Sequence, residues 1–258
     1  LYILQSDGTF SFVSVGDFLG LLEPFNTRSL DFESSSSQCL TLSWGAGGTS
    51  RKTFTISTFF KRESGASFQR IFTSGTDTNN RFFIGFDNLD KLLVIDRLSG
   101  SFIMRKESTA SFGVDSSWHH LVVAIDTSQS TASLRTRIYV DGTEITSFST
   151  NIDYTLNANA SINNNYSVTV IGRDESSGSF YDGLLDEFIF VDGQQLTPSD
   201  FATLSEPIEY TGTFGAKGFY LRFEDNSSVT TLGSDSSGNN INWTLVNMTV
   251  ASSSTDFA

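Results

Sequence analysis

A chain of 258 residues with 16 Lys and Arg against 29 Asp and Glu carries a formal charge of −13, a balance against any groove that tracks a nucleic-acid backbone. Hydrophobic residues at 38%, aromatics at 13% and charged residues at only 17% describe a globular chain with a sizeable core, not an acidic disordered polymer. The single Cys39 excludes an intrachain disulfide and a cysteine zinc site, the two histidines are adjacent, and no apolar run is long enough for membrane insertion.

Residues 1–27 read as a lead-in or attachment segment, with Pro24 and Asn26 marking its end. The start, Leu1-Tyr-Ile-Leu, lacks an initiator Met and a basic n-region, so it reads as a processed or partial chain rather than a signal peptide. From residue 28 to 250 short alternating segments follow one another between Gly-, Ser-, Asn- and Asp-rich turns, as in a sandwich or barrel. Cys39–Trp44, Phe54–Phe60, Ile71–Thr73 and Arg81–Asp87 are the first of them. Lys91–Asp96 is too continuously apolar to have one wet face and reads as a central strand. Trp118–Asp126 and Arg135–Gly142 are the clearest pair, the second running through Asp141-Gly142 into a tight hairpin. Asn151–Ser167, rich in Asn and weakly periodic, reads as a long exposed loop. Val168–Gly172 and Leu184–Val191 return to strand. Thr197-Pro-Ser-Asp200 has the cap, proline and acid of a helix start and predicts one short helix over about 198–204. Strands resume at Gly218–Glu224 and Asn242–Val246, and 251–258 reads as a polar tail. The expected fold is all-β, an antiparallel two-sheet jelly-roll β-sandwich.

Four segments fall in a suggestive order: Trp118-His-His-Leu-Val, Ile138-Tyr-Val-Asp-Gly142, Ile171-Gly-Arg and Tyr181-Asp-Gly-Leu-Leu-Asp-Glu-Phe188. That order resembles the laminin-G-like branch of the concanavalin A-like lectin/glucanase superfamily. Val191–Phe201, Gly218–Ser228 and Asp235–Trp243 sharpen the likeness to the form of this domain found in virion proteins of marine tailed bacteriophages. The resemblance spans about 28–250 and implies a sandwich displayed on a virion surface, in a tail fibre or other appendage. It implies as partners host cell-surface glycans, other virion proteins and further copies of the chain in a homo-oligomer.

Laminarinase-type hydrolases of this fold carry E-x-D-x-x-E on one strand, so that both carboxylates face the sugar. No glutamate here has Asp two positions later, and there is no G-x-S-x-G to serve the histidines, so the chain reads as non-enzymatic. His119 and His120 alternate on a strand, one inward and satisfied, the other wet. Relatives in the family often hold calcium, and hard oxygen ligands suit that ion. The resemblance places Asp186 on the late strand and Asp235 in a loop able to meet it, with Asp225 as a third candidate. For glycan binding, an exposed aromatic should stack on a sugar ring while Asn, Asp or Arg bond its hydroxyls. Tyr154 and Tyr166 in one loop, and Arg173, Asp174 and Tyr181 in another, have that mixture. The alternatives are a purely structural assembly or decoration role and a glycoside hydrolase with an unrecognised acid pair.

Overall fold

Alternating side chains place one row of each strand inward and the next outward, and this chain is built almost wholly on that rule. The computed structural model describes residues 2–4, 10–12, 28–43, 45, 48–162, 168–203 and 206–258. β1 (Tyr2–Leu4) and β2 (Phe10–Phe12) pair with each other in the lead-in. β3 (Ser29–Phe32), β4 (Cys39–Leu42), β5 (Thr53–Arg62) and β6 (Gln69–Asp77) follow. β7 (Asn80–Phe86), β8 (Lys91–Leu98), β9 (Ser101–Ser111) and β10 (His119–Asp126) come next. Then come β11 (Thr136–Val140), β12 (Thr143–Glu144), β13 (Phe148–Ile152), β14 (Val168–Ile171) and β15 (Gly183–Asp192). The last part holds β16 (Ala202–Thr203), β17 (Glu206–Pro207), β18 (Phe219–Leu221), one helical turn α1 (Val229–Leu232), β19 (Thr244–Val246) and β20 (Ser253–Ser254).

The long strands form two eight-stranded antiparallel sheets. The first runs β12-β11-β10-β5-β15-β3-β20, with β18 beside β15; the second runs β13-β9-β8-β7-β6-β14-β4-β19. Between them lies a core rich in Phe: Phe54 meets Phe82 edge-on at 5.7 Å, Phe72 meets Phe188 at 6.0 Å, and Phe219 meets Trp243 at 5.1 Å. Each such ring contributes about 1.5–3 kcal/mol by leaving water. The architecture is the expected two-layer all-β jelly roll. Asp141 and Gly142 have φ of 51° and 73°, as the tight turn requires. At Gly183, φ +135°, a Cβ would lie 2.2 Å from the Lys61 carbonyl.

The two sheets differ on their outer faces. The chain after β15 folds back so that Leu196, Phe201, Tyr210 and Phe214 seal the first sheet over Val122, Ala124, Ile189 and Tyr220. The outer face of the second sheet carries no such layer among the described residues.

Three expectations need correction. The 198–204 helix is a single 3-10 turn, Pro198–Asp200. Its Thr197–Asp200 capping box forms as read, but Phe201 then drops into the outer apolar layer and Ala202–Thr203 pairs with β17. The stretch 151–162 is exposed only in part: residues 151–152 close β13 and 155–157 face solvent, but Tyr154, Ala160 and Ile162 enter the main core, and Asn157 and Ala160 amides bond Thr127 and Arg51 carbonyls. Residues 163–167 lie outside the described residues. The 251–258 tail is part of the first sheet, since β20 pairs with β3 and Asp256 bonds Lys61 and Trp118 at 2.6 and 2.9 Å.

Candidate functional site

The open face of the second sheet is where the chain displays chemistry. Phe83 on β7 with Leu93 and Ile95 on β8 make an apolar floor that is buried without a covering layer. Arginines do the covering. Arg70 and Arg81 lie over the Phe83 ring at 4.2 and 4.8 Å, and Arg97 and Arg105 lie over Phe102 at 4.7 and 4.5 Å. Guanidinium planes stack on aromatic faces while keeping their edges available for hydrogen bonds. The result is a depression of about 340 Å3 with Phe68, 52% exposed, and Phe102, 36% exposed, on its lining. Gly85 makes room for it: a Cβ there would sit 2.1 Å from the Gln69 carbonyl and 3.0 Å from Arg70 Cδ.

Each arginine is anchored differently. Arg70, 7% exposed, donates from Nη1 to the Gln69 and Phe86 carbonyls, both at 3.1 Å. Arg81 donates from Nη1 to both oxygens of Glu175 at 2.7 and 2.9 Å. Arg97 spans the Thr78 and Gly100 carbonyls, and Arg105 grips Glu107, whose other oxygen accepts from the Thr150 hydroxyl at 2.6 Å. Burial, then the nearby Arg81 charge, lowers the Arg70 guanidinium to about 10, so it remains cationic at neutral pH. The lining sets four arginines against Asp87 and Glu107, and Glu175 pairs with Arg81 beside it, which leaves one cation in excess on a chain of net −13.

None of the residues read from sequence as glycan contacts lines this depression among the described residues. Tyr154 and Tyr181 are fully buried and present no ring to a sugar. Tyr154 donates to Asp96 at 2.6 Å, and Tyr181 donates to the Lys61 and Leu184 carbonyls at 3.2 and 3.3 Å. Asp174 folds its own loop by accepting from Ser176 and Gly178 amides. Burial raises its carboxyl, and these bonds overcome that and hold it below the usual range. Arg173 is half-buried and lines a second depression of about 190 Å3 on the open face, near Thr41, Val170 and Thr244. Tyr166 lies outside the described residues. The loop does reach the main depression through Glu175, which sequence reading passed over. Arg70, Arg81, Arg97 and Arg105 were also missed. Their signal is spacing: Arg81/Phe83 and Ile95/Arg97 sit two apart, hence on one face of a strand.

Comparison with known proteins fits this geometry. A laminin G-type family model, described as Concanavalin A-like lectin/glucanases superfamily, matches residues 35–202. The chain belongs to this superfamily. No curated protein matches it in sequence. Among solved structures, a Bacteroides ovatus protein described as carbohydrate-binding is similar at 16% identity and TM-score 0.61, over 85% of this chain and 58% of that one. The K499G mutant of the NanB sialidase from Streptococcus pneumoniae is similar at 18% identity and TM-score 0.52, over 73% of this chain and 29% of that one. Mouse laminin alpha1 domains LG4-5 share 14% identity at TM-score 0.46, over 74% of this chain and 46% of theirs. The chain thus spans less than two thirds of the length of each.

For this concanavalin A-like domain the calcium candidates do not make an ion site. Asp186 is buried and accepts from the Glu187 and Ala258 amides. Asp235 accepts from the Tyr220, Ser237 and Ile241 amides and the Ser237 hydroxyl, which staples its loop to β18. Asp225 is exposed and accepts from the Ser227 amide. Oxygens facing N–H donors are poorly placed for a cation, and no group of three metal-ligating side chains forms among the described residues. The residues present therefore do not fit calcium. The histidines separate as the strand alternation requires. His120 is buried at 2.8 Å from Ser57 Oγ and stacked on Phe59, and His119 bonds Asp141 and Asp115. Asp186 and Glu187 are neighbouring carboxylates, but both are buried and neither opens on a groove.

Proposed function

We propose that this is a non-catalytic carbohydrate-binding domain that holds host cell-surface glycans on the open face of its second sheet. We further read it as displayed on a phage particle, in a tail fibre or similar surface appendage. One observation carries the binding reading: an uncovered sheet face with exposed Phe68 and Phe102 beside guanidinium donors, around a shallow depression. Aromatic faces and planar donors are the groups that grip sugars. Membership of the lectin/glucanase superfamily and the B. ovatus likeness support it. The virion reading is supported by the resemblance of residues 191–201, 218–228 and 235–243. The non-catalytic reading is supported by Glu107 in the depression. Burial raises it, but the Thr150 hydroxyl and Arg105 overcome this and hold it low. A general acid for glycoside cleavage needs the opposite, a carboxyl held protonated.

The test is a glycan array with and without calcium, run on the chain and on Phe68→Ala and Phe102→Ala. Retention of a glycan that each substitution weakens by about tenfold, with unchanged melting, is expected. No retention of any glycan would overturn the reading. An assembly role is the second reading, favoured by exposed Leu98, Phe102, Ile152 and Leu156. Burial of these residues against neighbouring subunits in a particle, leaving the depression covered, would support it instead. In an oligomer several weak sites act together through effective concentration.

A further inference from the structure

Arg70 and Arg81 share a bonding state. Both use only Nη1, on carbonyls in one case and on Glu175 in the other. In both, Nε is buried and has no hydrogen-bond partner among the described residues. Nη2 of each likewise makes no hydrogen bond, yet is not enclosed as Nε is, so it is the donor a ligand can reach. Two such Nη2 donors, on guanidinium groups held over the single ring of Phe83, are left without an acceptor among the described residues. Burial and then the Arg81 charge disfavour the Arg70 cation, and Asp174, Glu175 and Asp87 offset this, Glu175 being bound to Arg81 and so leaving the Arg70 guanidinium with carbonyl acceptors alone. Buried donors without partners call for an acceptor that the chain itself does not supply.

We propose that the glycan held here is acidic, and that Arg70, with Arg81 beside it, binds the carboxylate of a sugar acid through its open Nη2 donor. This rests on the carbohydrate-binding reading and adds the chemical class. A carboxylate brings a charged acceptor to these guanidinium donors, whereas a hydroxyl offers one oxygen and no charge. The sugar ring then lies within reach of Phe68 or Phe102.

The full chain is titrated in calcium-free buffer with oligogalacturonate, oligoalginate and sialyllactose, each paired with its methyl ester, and with dextran sulfate and a neutral glucan. At least one acid should bind, with its ester about tenfold or more weaker. Arg70→Lys, which keeps the charge but loses the planar guanidinium over Phe83 and its Nη2 donor, should weaken binding about tenfold. Should that variant fail to fold, Asn88→Asp places a negative charge at the exposed rim and should weaken the acids while leaving neutral sugars unchanged. Equal binding of acid and ester, or binding of dextran sulfate alone, overturns the assignment. Binding confined to the neutral glucan overturns it while leaving the carbohydrate reading in place. Silence across this panel and across a glycan array overturns both.

Discussion

Glu187 sits at a bulge in β15, with φ 48°, where the register with β5 shifts between Asp186 and Ile189. Its side chain is buried against the Tyr220 hydroxyl, and burial together with the adjacent Asp186 raises its carboxyl to about 9. An acid raised in the folded state binds a proton that the unfolded chain releases near its ordinary value of about 4.5. Stability is then fully present below that value and falls as pH rises toward 9. Glu187→Gln should match the parent near pH 4.5 and exceed it by about 1–3 kcal/mol at pH 8, read from denaturant melts. Parallel curves for the two proteins across that range would refute this. At this scale the site was only partly legible in the sequence. The histidine pair resolved as read because alternation is local. The arginines did not, because a cation beside an apolar residue at two-residue spacing looks the same whether it points into water or lies down over a ring. Tyr154 and Tyr181 misled for the converse reason: their polar neighbours in sequence are not their neighbours in space.

Among the elements, those defined by local chemistry were visible and those defined by distant partners were not. The Asp141-Gly142 turn and the alternating β5 and β10 follow from a few adjacent residues. The apolar run of β8 correctly signalled burial on both faces, although its outer cover is side chains of the same sheet rather than another layer. The segment 151–162 depends on Asp96, which accepts from Tyr154 and the Ser161 amide at 2.6 and 2.8 Å, and nothing near it in sequence announces that anchor. β20 likewise exists because β3 offers an unpaired edge. Removing residues 251–258 should bare that edge and release Lys61, Trp118 and the Asp186 contact at once. The expected result is a melting temperature lower by about 2–8 °C and concentration-dependent aggregation. An unchanged melt and a monomeric truncated chain would show that the tail pairing contributes nothing.

For the molecule as a whole, charge acts with opposite signs on folding and on recognition. The net −13 disfavours the compact state through self-repulsion, which salt screens. The depression instead concentrates positive charge, and its attraction for an acidic ligand is screened by the same ions. Raising NaCl from 20 to 300 mM (roughly a threefold to fourfold shorter Debye length) should raise the melting temperature while weakening retention of the acidic glycan. Both quantities moving in the same direction would mean that the local excess of arginine does not govern binding.

Sealing one sheet and leaving the other bare divides the labour of the sequence. In β7 and β8 every second residue is committed to the interior, Phe82, Ile84 and Val94 among them; Phe83, Leu93, Ile95 and Gly85 fix the outer floor, and the side chains on its rim answer to whatever docks outside. Selection can therefore rewrite the exposed row, trading one sugar preference for another, without renegotiating the hydrophobic contacts that keep the sandwich folded.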